Sequence, residues 1–102
     1  MEVLMTGRNG VRGDVKIFLN GSERKLRLTF GALAEIETEL GVGDVDELGA
    51  RLRKLSPTDL WAVVGALLRG AGESDVALVD HARQDVAAAA MAVADAFREA
   101  AP

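Results

Sequence analysis

Leu26-Arg27-Leu28-Thr29-Phe30-Gly31-Ala32-Leu33-Ala34-Glu35-Ile36-Glu37-Thr38-Glu39-Leu40-Gly41 changes its hydrophobic period part-way along, and the fold follows from that change. Leu26 and Leu28 alternate with Lys25 and Arg27, as in a half-buried strand, whereas Phe30, Leu33, Ile36 and Leu40 recur at helical spacing. A strand therefore runs straight into a helix. Thr29 is placed to cap the helix, because its hydroxyl can accept from an amide of the first turn that has no intrahelical partner. Gly41 can take the left-handed backbone that ends it.

Before this stretch, Val15, Ile17 and Leu19 alternate with Asp14, Lys16 and Phe18, which predicts a strand over residues 14 to 19. Asn20-Gly21 suits a tight hairpin turn, since both residues tolerate positive φ, and a second strand follows from about Glu23 to Leu28. Two strands alone are marginal in water, so helices must cover their apolar face. Phe18 points opposite to Ile17. It is either a stray exposed aromatic or a sign that both faces of the hairpin are covered.

After Gly41, Asp44 and Glu47 have capping-box spacing ahead of Val45, Leu48, Leu52 and Leu55, which predicts a helix over about 45–55. Ser56-Pro57-Thr58-Asp59 starts another: a serine cap, a proline in the first turn and an acid facing the positive end of the dipole. That helix reaches about Arg69, with Gly70 and Gly72 ending it. Ser74 can open a further helical segment through Val76, Leu78 and Val79, and an alanine-rich helix spans about 84 to 100 with Val86, Met91, Val93, Ala94 and Phe97 along it. The predicted fold class is α+β: an N-terminal β-hairpin followed by a compact bundle of four or five helices. Residues 1–12 read as a mobile segment and 13–102 as one domain, with Ile17, Leu26, Leu28, Phe30, Leu33, Ile36, Leu52, Val64, Leu68 and Phe97 in its core.

The 102 residues suffice for one modest core, and 49% apolar content is ordinary for a globular chain. A net charge of −4 with scattered Lys and Arg argues against nucleic acid as a partner, because phosphate backbones are bound by clustered basic residues. The densest basic group, Arg24, Lys25 and Arg27 with Arg51, Arg53 and Lys54, falls in two separate elements and reads as solvated surface. No stretch approaches the roughly 20 apolar residues needed to cross a bilayer. With no cysteine and no signal-like N-terminus, a cytoplasmic protein without a membrane partner is expected.

Catalytic chemistry has little to stand on. His81 is the only histidine, there is no cysteine or tyrosine, and a serine without a nearby base is a weak nucleophile. His81 lies near Asp80 and Asp85, but an adjacent acid and histidine point in different directions on a helix, and a zinc site needs three or four ligands. Glu35, Glu37 and Glu39 likewise diverge. Gly7, Gly10 and Gly13 precede a strand instead of joining a strand to a helix, which is the wrong context for binding phosphate. No catalytic, metal or cofactor residue is assigned, and the protein is expected not to be an enzyme.

The run Leu26 to Glu37, the following Leu40-Gly41-Val42, and Leu67-Leu68-Arg69-Gly70-Ala71-Gly72 resemble the gene-transfer-agent branch of the phage tail assembly chaperone family, also described as tail tube associated. In that family a glycine-rich break precedes the last helix, whereas Asp80-His81-Ala82-Arg83-Gln84 stands there in this chain without a glycine. The resemblance implies a partner, tail tube or tape-measure protein, held soluble until polymerisation begins. The alternatives are a structural component retained in the particle, and a small host regulatory or protein-interaction domain.

Binding of that kind needs exposed apolar surface. Leu60 and Trp61 are adjacent on a helix and so face about 100° apart, which makes the apolar sector of that helix wide. Trp61 is then either a core anchor or, with Leu60, Leu67 and Leu68, part of an exposed patch, tryptophan being enriched at interface hot spots. Phe18, Leu60, Trp61, Leu67 and Leu68 are the candidate protein-binding residues.

Overall fold

The computed structural model describes residues 13–19, 21–73 and 85–100. Within them an antiparallel hairpin, β1 (Val15–Leu19) and β2 (Ser22–Leu26), precedes four helices: α1 (Phe30–Leu40), α2 (Val45–Leu52), α3 (Pro57–Gly70) and α4 (Val86–Ala100). This is the α+β arrangement expected from the sequence. The predicted segment after Ser74, the His81 region and residues 1–12 lie outside the described residues.

The hairpin register runs from Val15 opposite Leu26 to Leu19 opposite Ser22, so two residues make the turn. Gly21 has φ 79°, as such a turn demands, while Asn20 lies outside the described residues. β2 stops at Leu26, two residues short of the predicted end, because the Arg27 amide leaves the ladder and donates to the Leu67 carbonyl of α3 at 3.0 Å. That bond ties the hairpin to the helix that covers it.

Local signals set the helix ends. Thr29 Oγ1 accepts from the Ala32 amide at 3.0 Å, and Gly41 closes α1 at φ 69°. At α2, Asp44 Oδ1 accepts from Glu47 N and the Glu47 carboxylate reaches back to Gly43 N, both at 2.8 Å. Ser56 Oγ accepts from Asp59 N at 3.1 Å and starts α3. Asp85 plays the same part for α4 by accepting from Ala88 N at 3.1 Å, a cap that the alanine run concealed. α2 ends at Leu52, earlier than predicted. The Arg51 to Lys54 turn that follows places Leu55 against the core and aims the chain into α3.

α3 is the central element and packs against α1, α4 and β2, while α4 also lies across β1. Val63, Val64, Ala66, Leu67 and Leu68 are completely buried in it. Of the predicted core, Ile17, Leu26, Ile36, Val64 and Leu68 are buried, and Leu28, Leu33, Leu52 and Phe97 pack half-buried around them. Phe30 is a correction: it is 93% exposed. The buried stripe of α1 is Ala32, Ile36 and Leu40, and Phe30 projects about 120° away from Ile36 at 100° per residue.

Gly70, read from sequence as the end of α3, has a more specific function. A Cβ there would meet the Arg27 carbonyl oxygen at 2.3 Å and Ala32 Cβ at 3.2 Å. The missing side chain lets the crossing from β2 to α1 pass directly over α3.

Candidate protein-binding surface

The five candidate residues separate into two groups. Leu60 and Trp61 are 4% and 5% exposed, and Leu67 and Leu68 are sealed inside α3. The expectation of an exposed patch on that helix is therefore corrected, and Trp61 is a core anchor. The wide apolar sector reflects the central position of α3: a helix covered on several sides buries residues around most of its circumference.

Phe18 behaves differently. It is 67% exposed on the outer face of the hairpin, because β1 turns Ile17 and Leu19 inward and must present Phe18 outward. Around it, Lys16 Nζ reaches the Glu23 carboxylate of β2 at 3.7 Å, and Lys16 faces Lys25 directly. An aromatic side chain thus stands on an otherwise charged two-stranded face.

Two further apolar features escaped the sequence reading. Phe30 stands beside a shallow depression formed with Leu28, Leu33 and Ala100. A larger groove of about 710 Å³ runs between the end of α2, the start of α3 and α4, with Leu52, Leu55 and Phe97 in its walls and Arg53 and Arg98 at its rim. Met91, 69% exposed, sits on the outer side of α4. Phe30 and Met91 lie off the buried stripes of their helices, which are Ala32, Ile36 and Leu40 in α1 and Ala89, Ala92, Val93 and Ala96 in α4.

Several charged groups tie elements of the fold together. Arg27 Nε donates to Asp14 Oδ1 at 2.6 Å, and this hydrogen bond raises the guanidinium above its ordinary pKa. Arg51 bonds both Asp59 and the Leu40 carbonyl. Arg69 pairs with Glu35, so one of the three acids at 35, 37 and 39 joins α1 to α3. Among the described residues, no three His, Cys, Asp or Glu side chains are grouped to hold a metal ion, and no helix is long and apolar enough to cross a membrane.

What remains is a small α+β domain whose distinctive exposed groups are apolar. A family model described as phage tail tube protein, GTA-gp10, matches residues 12–101, and the chain belongs to that family. The resemblance carried by Leu26 to Gly72 therefore holds at the level of a phage-like, gene-transfer-agent tail family. Comparisons with curated proteins and with solved structures returned no match.

Proposed function

We propose that the protein is a non-enzymatic tail assembly chaperone, which binds tail tube or tape-measure protein and keeps it from associating before the particle is ready. The tail family supplies the context. The observation that carries the reading is Phe18, an aromatic side chain held in solvent by a rigid hairpin register and surrounded by charge. Exposed aromatics with polar surroundings are favoured at protein interfaces. The site works by covering apolar surface on the partner and involves no bond making.

A second reading, a structural component retained in the tail, is favoured by the description of the family as tail tube protein. Particle composition separates the two. Purified particles should lack the chaperone, and co-expression should raise the soluble yield of the tape-measure or tail tube protein severalfold. Stoichiometric retention in particles would establish the structural reading. Absence of any effect on either partner would overturn the chaperone.

A further inference from the structure

We draw no further inference here: the strongest candidate, the apolar groove between the end of α2, the start of α3 and α4 with Leu52, Leu55 and Phe97 in its walls, carries nothing, because nothing among the described residues shows what covers it.

Discussion

Arg51 Nη2 donates to Asp59 Oδ2 at 2.8 Å, linking α2 to the first turn of α3, and its second terminal nitrogen reaches the Leu40 carbonyl at 2.7 Å. One planar guanidinium therefore joins the end of α1 to the start of α3 across α2. The charged pair is partly exposed and worth little alone, whereas the bond to a terminal helix carbonyl adds to it. Arg51→Ala is expected to lower the unfolding free energy by about 1–2 kcal/mol in urea titration. Arg51→Lys should recover less than half of that, since an ammonium does not reproduce the fork. Full recovery with lysine would show that charge alone matters.

Trp61→Ala should destabilise the domain by about 3–5 kcal/mol, the range for truncating a buried aromatic. Thermal unfolding of the purified variant measures this. A loss below about 1 kcal/mol, typical of surface sites, would contradict its place in the core.

Gly70→Ala sets two effects against each other. Alanine favours a helix by about 1 kcal/mol over glycine. Its methyl group would be driven to 2.3 Å from the Arg27 carbonyl oxygen, which is backbone and has little freedom to yield. The clash should win, with a net loss of about 1–3 kcal/mol in chemical denaturation and faster exchange of the Arg27 amide that bonds Leu67. A gain in stability would mean that the crossing over α3 is looser than described.

Phe18→Ala and Phe30→Ala should each change stability by no more than about 0.5 kcal/mol, as expected for exposed positions. Their effects on binding should diverge. In pull-down from cells co-expressing the tail proteins, Phe18→Ala should weaken capture at least tenfold and Phe30→Ala should leave it within twofold. Equal effects from both would spread the contact over the whole apolar surface and remove the particular importance of the hairpin.

How far the sequence could be read depended on how local each cause is. Thr29, Gly41, Asp44 and Ser56 were legible as caps because capping involves residues a few positions apart. The depth of a residue is not local in this sense. Phe30 and Ile36 read as one stripe, yet six residues apart they stand about 120° from each other, and the covering of α1 buries Ile36 while leaving Phe30 93% exposed. Trp61 stands open in the sequence between core anchor and exposed patch for a related reason: the width of its apolar sector is explained by what packs on α3 from β2, α1 and α4, and that packing decides for the core. Phe18 was legible, because strand alternation fixes its side of the sheet as soon as Ile17 is assigned inward.

The Glu73 carboxylate on the Lys25 amide fastens the far end of α3 back onto β2. Sequence separation between the two residues is 48, so one hydrogen bond closes a long loop of chain that begins in β2 and returns just past α3.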